Sequence, residues 1–300
     1  MLKNITRCVL FVATIAGSCA LAAGPKPVAL DPDYQHDRFD TQPKNIVRKF
    51  RAYTMNMGGE TGVAWGIPKW VAYEVKRFNG DCVPTGNRPS WFSDNGLVQQ
   101  GIAPRDNSYR YPRAWRQSHP DWYVRGHLAM KFLAERLGRD AAWNTHTMLN
   151  AVPQRGKFNS GIWQELEMLT GAWAQRYGAV WVITGPVVID GDPSGWIGEE
   201  GEFQVAIPDA LFKIVVRESG DPDRPEVLAF VYPQYESRYY GQAPYPHQQY
   251  LTSVNAIEEV TGLDFLTSLP DDVEDEVEAG HPQWLWAVKD EDFLGACRRE

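Results

Sequence analysis

Two kinds of apolar run alternate along this chain, and each predicts a different element. Short runs rich in β-branched and aromatic residues at 70–75, after Pro68, and at 180–184, closed by Gly185-Pro186, predict strands, the second a buried central one. Three more runs, 204–207, 212–216 and 227–232, are separated by Pro208-Asp209 and Gly220-Asp221-Pro222, which predicts an antiparallel meander. Residues 160–177 repeat differently. There Ile162, Leu166, Leu169, Trp173 and Tyr177 recur at helical spacing, and Gly178 closes the helix at its C-terminus. A shorter helix over 254–261 is bracketed by Ser253 and Gly262.

The middle of the chain predicts a strand over 122–125 with His127 just beyond it, a short helix over 129–137, and a returning strand over 145–149. On the helix that follows, Asn159, Trp163 and Glu167 stand at successive four-residue steps and so share one side. Strands, a helix, then more strands and a helix make the fold class α+β. Residues 24–45, rich in Pro and Asp, read as an extended leader, and 46–269 as one domain without an internal linker or repeat. Residues 270–300 read as a tail. Its acidic run, 271–278, suggests a solvated or mobile segment, the alternative being a nucleic-acid mimic that shields the site. Trp284, Leu285 and Trp286 are expected to pack back on the body.

Residues 1–23 stand apart from this pattern. Lys3 and Arg7 precede an apolar stretch over 9–16 and a small-residue cleavage site near Ala22, which reads as a signal peptide. Export to the periplasm or the extracellular space follows. No later apolar run is long enough for a membrane span, so no stable membrane association is expected. Cys82 and Cys297 remain after cleavage; they pair as a disulfide or stay as two thiols, and spacing does not choose. With 38 acidic against 30 basic residues, the formal charge of −8 excludes a protein held to nucleic acid by overall basicity. It does not exclude a locally basic cleft.

The segment 123–127, Tyr-Val-Arg-Gly-His, carries the chemistry of greatest interest. A histidine beside an arginine and a close-turning glycine can supply a general base and a phosphate contact from one turn. Asn159, opening the next helix, can offer a neutral oxygen to a hard cation, although by position alone such an asparagine reads as an N-cap. These parts suit metal-assisted cleavage of a phosphodiester.

On these residues the chain resembles the DNA/RNA non-specific endonuclease family, the ββα-metal or His-Me finger nucleases that include endonuclease G. The family's Asp-Arg-Gly-His motif corresponds to residues 124–127, its Asn-x-x-Pro-Gln element to 150–154, and its Asn-x-x-x-Trp-x-x-Leu-Glu element to 159–167. Further matches run in family order from residue 70 to residue 265 and include Arg88-Pro89-Ser90-Trp91-Phe92. The resemblance implies a central, mainly antiparallel sheet flanked by helices, and an activity hydrolysing DNA and RNA with little sequence preference. It implies His127 as general base and Asn159 as ligand of Mg2+, with Mn2+ as the other candidate. Glu167 would hold metal-bound water, while Asn150 and Gln154 would orient the site. Arg88 and Arg125 would grip the scissile phosphate, with Lys131 and Arg155 as further backbone contacts. His36, His119, His146, His247 and His281 lack such context and read as structural or exposed. Oligomeric state stays open, a dimer included. Val124 replaces the family's aspartate, and Gly171 stands where some relatives carry arginine. Those departures and the negative charge support the alternative, a non-catalytic relative that binds nucleic acid or a protein partner.

Overall fold

Strands that are apolar on both faces need cover on both, and this requirement organises the molecule. The computed structural model describes residues 31–60, 63–80, 87–111, 117–118, 122–221, 224–235, 241 and 243–294. The expected signal peptide, Cys82, Cys297 and His119 lie outside these. Among the described residues, seven strands form one antiparallel sheet in the spatial order Leu251–Thr252, Glu226–Pro233, Ala210–Arg217, Ala179–Val187, Val63–Lys76, Thr54–Glu60, Val47–Lys49. Its three middle strands contain the expected runs, each extended by two or more residues at an end.

Alternate side chains enter different cores. Val71, Tyr73, Val182, Leu211, Val215 and Phe230 face the long helix Gln164–Tyr177 and the hairpin described below. Trp70, Ala72, Ile183, Phe212 and Ile214 face helix Val254–Thr261 together with Phe265 and Leu266. That helix has the expected bounds: Ser253 accepts from Ala256 N at 3.2 Å, and Gly262 takes a left-handed φ of 63°.

Four expectations change. The meander is broken, because Val205–Ile207 pairs with Gly195–Ile197 in a separate small sheet. Asp209 N donates to Val187 O and Gln234 N donates to Asp209 O, so the chain joins the large sheet only after Pro208. The strand returning to Tyr123–His127 is Ala151–Arg155, not 145–149. Met148–Asn150 forms a 3-10 turn, with Thr147 Oγ1 accepting from Leu149 N, and Phe92 bridges Thr147 instead. Part of the leader is structured: Phe39 is buried in the second core, and Thr41–Gln42 pairs with Asp264–Phe265. The acidic run is a helix, Asp271–Ala279, whose first-turn Asp271, Asp272 and Glu274 suit the positive end of its dipole. Val277 on that helix packs against the second core, on the sheet face away from the hairpin, so the helix does not shield the site.

The tail beyond it does return to the body. Leu285 and Trp286 pack on the first core, and Trp173 Nε1 donates to Trp286 O at 3.0 Å, whereas Trp284 stays exposed. The Trp286 ring meets Trp173 edge-on at 5.5 Å and lies under the Arg217 guanidinium at 4.8 Å. Replacing Trp286 with Ala is expected to cost about 2 kcal/mol of unfolding free energy, less than a fully buried Trp. Urea unfolding measures it, and an unchanged midpoint would show that the tail contributes nothing to stability.

Candidate active site

The hairpin Tyr123–His127/Ala151–Arg155 is a two-stranded antiparallel ladder in unbroken register, with His127 opposite Ala151 and Tyr123 opposite Arg155. The chain leaving His127 is held by Asn150. Its Oδ1 accepts from Ala129 N at 2.8 Å, and its Nδ2 donates to Ala129 O and Thr145 O, both at 2.9 Å. One carboxamide thus pins three segments. Gln154 lies flat over Gly126, where an added Cβ would come within 2.1 Å of its Cδ. Any side chain at 126 would have to displace the buried Gln154 carboxamide.

Strand periodicity puts Tyr123, Arg125 and His127 on one face, with Val124 and Gly126 on the other. Trp91 confirms the first group, its ring 4.7 Å from the His127 ring and 5.8 Å from the Arg125 guanidinium carbon. Val124 lies across from Gln154, so the aspartate it replaces would point away from the histidine.

His127 is a partly buried residue whose Nε2 atom is itself buried and has no hydrogen-bond partner among the described residues. Burial pushes its pKa well below the usual 6.5, and His146, Arg88 and Lys131 push it the same way. The imidazole is therefore neutral at pH 7 and able to take a proton.

Sequence reasoning missed His146. Its ring stands edge-on to His127 at 4.8 Å, and its Nε2 accepts from Arg88 Nε at 2.8 Å. Its pKa falls to about 4, through burial first and then the Arg88 charge. With Nε2 accepting, the proton resides on Nδ1, which faces Thr145 Oγ1 at 3.3 Å. His146 is thus the anchor of Arg88 rather than a bystander. Asp106 was also missed: its Oδ1 pairs with Arg125 Nη1 at 2.8 Å. Neither has a local motif. Residues 88–92 reach His146 through backbone bonds from Phe92 N to His146 O and from Met148 N to Phe92 O, a contact between segments more than fifty residues apart. His36 and His247 are buried in packing roles; His247 Nδ1 meets Tyr232 OH at 2.9 Å.

Arg88 and Arg125 come close enough that Arg125 lowers the Arg88 pKa, after burial. Lys131 starts the short helix Lys131–Ala134 and is ion-paired to Glu135. Arg155 is elsewhere, at the far end of the hairpin from His127. The site is therefore two guanidiniums and two neutral imidazoles around one indole, with Asp106 as carboxylate partner to Arg125.

The helix carrying Asn159 begins earlier than the periodicity indicates. Gly156–Phe158 is already helical, Asn159–Trp163 is a widened π-type turn with Gly161 out of helical geometry, and the regular helix resumes at Gln164. Asn159 takes helical angles, φ −61° and ψ −44°, and is not an N-cap. Trp163 Nε1 donates to His127 O at 3.3 Å, holding this turn against the hairpin. Among the described residues no three His, Cys, Asp or Glu side chains cluster to hold a metal. A cation bound here would have to draw on neutral oxygen donors, such as an asparagine amide, and on water, a set that suits a hard, reluctantly dehydrated ion.

Glu167 is buried near Lys213, a fully buried lysine on a central strand whose Nζ lies 4.3 Å over the Trp163 ring. Burial pushes the Glu167 carboxyl up to about 7 while Lys213 opposes this; burial lowers Lys213 to about 8 while Glu167 opposes that. The carboxylate answers a core cation under the indole. Gly171, one turn on, has the Arg136 guanidinium beside it, with Nη2 donating to Gly171 O at 3.5 Å.

A family model described as DNA/RNA non-specific endonuclease matches residues 32–272. The mitochondrial nuclease EXOG of Xenopus laevis is 25% identical over 206 residues, 63% of this chain and 56% of that protein. EXOG of Mus musculus is 30% identical over 158 residues, 49% of this chain and 40% of that one. The chain thus spans about half the length of these mitochondrial relatives. The nuclease of Serratia marcescens is 28% identical over 233 residues, covering 77% of each. Among solved structures, a chain of the EndoG/EndoGI complex superposes with TM-score 0.58 at 22% identity, over 76% of this chain and 88% of that one, a likeness of fold.

Glu167 and Lys213 are buried within electrostatic reach of each other without forming a direct ion pair. Charges this close are expected to couple by about 1–2 kcal/mol, so that Glu167→Gln with Lys213→Met costs less than the sum of the two singles. Urea unfolding of the four proteins measures the coupling, and strict additivity would show that the two charges do not interact.

Proposed function

Because the chain belongs to the DNA/RNA non-specific endonuclease family, we propose that it hydrolyses phosphodiester bonds of DNA and RNA with little sequence preference, using His127 as general base. The observation that carries the reading is the juxtaposition of a neutral imidazole, its Nε2 buried and unpartnered, with two guanidiniums that repel each other. Paired cations are costly unless an anion shares them, and a phosphate with its non-bridging oxygens suits their planar donors.

In this scheme the neutral imidazole of His127 takes a proton from the attacking water. Arg88, held by His146, and Arg125, held by Asp106, grip the phosphate oxygens and stabilise charge as it develops. Asn159 would hold Mg2+ or Mn2+, which supplies neutralisation of charge on the phosphoryl group and the leaving 3′-oxygen when bound. Asn150 and Gln154 act as positioning residues, through the turn after His127 and through Gly126. Glu167, buried with its Oε1 unpartnered among the described residues, would hold metal-bound water. Contacts to the sugar-phosphate backbone account for weak sequence preference. Export is supported by the charged and apolar N-terminal residues, and no helix among the described residues is long and apolar enough to cross a membrane.

Purified protein is expected to nick supercoiled plasmid with added Mg2+ and to stop with a chelator. His127→Ala is expected to lower the rate by about 10²–10⁴-fold. Binding of plasmid without metal-dependent nicking would favour the non-catalytic alternative. The pH dependence has a definite sign. Since the His127 pKa lies well below 6.5, the acid limb of the rate profile is expected below pH 6.5, with no loss of rate between pH 8 and 6.5. A limb centred at or above 6.5 would contradict a desolvated base.

A further inference from the structure

The face of the hairpin strand that carries His127 and Arg125 continues to Tyr123, and what gathers there has no part in the scheme above. Tyr123 OH and Tyr235 OH are 2.6 Å apart. Arg155, opposite Tyr123 on the partner strand, holds its guanidinium 5.6 Å from the Tyr123 ring centre and 4.7 Å from that of Tyr235. Ser194 Oγ meets Tyr235 OH at 3.3 Å.

The cluster is built, not incidental. Gln234, buried, accepts from Arg155 N at 3.1 Å and donates to Pro153 O at 2.9 Å and Pro208 O at 3.0 Å. Three bonds thus lock the end of a central-sheet strand to the hairpin and set Tyr235 beside Tyr123. Yet Tyr235 remains 50% exposed, an aromatic surface that the fold has positioned and left open.

Its place relative to the site defines what it would take. Each two-residue step along a strand is about 7 Å, so Tyr123 lies about 14 Å along the strand from His127, with Arg125 midway. That progression is comparable with the spacing of successive nucleotides in an extended single strand. Base, phosphate grip and aromatic platform lie in line on one face. Resting on the endonuclease reading, the geometry points to Tyr123, Arg155 and Tyr235 as a stacking subsite for an unpaired base about two nucleotides from the scissile phosphate. Every base offers a π-face, so such a platform gains affinity without reading sequence, and the Arg155 charge adds attraction for the strand. A paired base held within a duplex stack cannot lie on it, which gives the site a preference for single-stranded or locally opened nucleic acid.

The test uses the full chain carrying His127→Ala, a labelled single-stranded DNA oligonucleotide and a set of the same oligonucleotide with one abasic position moved along it. Fluorescence anisotropy reads binding, and active protein on the same set maps which bonds are cut. A base lost at one position, about two nucleotides from the cut, is expected to weaken binding about tenfold. Tyr235→Ala is expected to cause the same loss on the intact strand and no further loss on that abasic one. Tyr235→Phe, which keeps the ring, is expected to bind within about twofold of the parent. Losses that multiply, or binding indifferent to every abasic position, would overturn the subsite. If Tyr235→Ala does not fold, the abasic scan on the unaltered platform decides alone. Active cleavage with no abasic effect sinks only this inference, whereas absence of both cleavage and binding sinks the endonuclease reading beneath it.

Discussion

Positive charge gathered next to a histidine that must stay neutral is the constraint from which the rest of this site follows. Arg88 lies close enough to depress both His127 and His146, and burial acts in the same direction. Burial does most to keep the imidazole unprotonated, and Arg88, one of the groups suited to hold a phosphate, adds to it. The arrangement is stable only because each guanidinium has a local anchor, a neutral histidine nitrogen for Arg88 and a carboxylate for Arg125. It needs a rigid frame, since like charges at this spacing would otherwise drift apart.

That frame is the sheet with two covered faces. One face supports the hairpin and the long helix, and the other is closed by the 254–261 and 271–279 helices and by residues near Phe39. Trp163 joins frame to site. Its indole bonds the His127 carbonyl, while its ring lies against a lysine ammonium set in the middle of the sheet. A buried ammonium costs stability that a leucine would not, and Glu167 offsets part of that cost. The same indole thus lies on the lysine through its ring and holds the helix start to the hairpin through its N–H.

Legibility in the sequence varied from residue to residue for physical reasons. Helix 254–261 was readable to its ends because its cap and its terminal glycine are local. The strand cores were readable because burial on both faces leaves an unbroken apolar run. The return strand was misplaced by six residues, since 145–149 has the right composition, and the turn there rests on the Thr147 cap and on Asn150 side-chain bonds to distant backbone. The acidic run concealed a helix because its apolar contribution is only Val273 and Val277, one helical turn apart. His146 and Asp106 were invisible, as each acquires its partner through contacts between distant segments.

By itself the sequence determined the parts: a histidine with an arginine and glycine before it, an asparagine near a helix start, and strands and helices whose apolar spacing is set by local geometry. Tertiary structure alone decided the charge state and company of those parts. Protonation of His127, anchoring of Arg88 and the inward placement of Glu167 all depend on desolvation and on neighbours remote along the chain. Both are properties of packed space, which no local pattern of residues encodes.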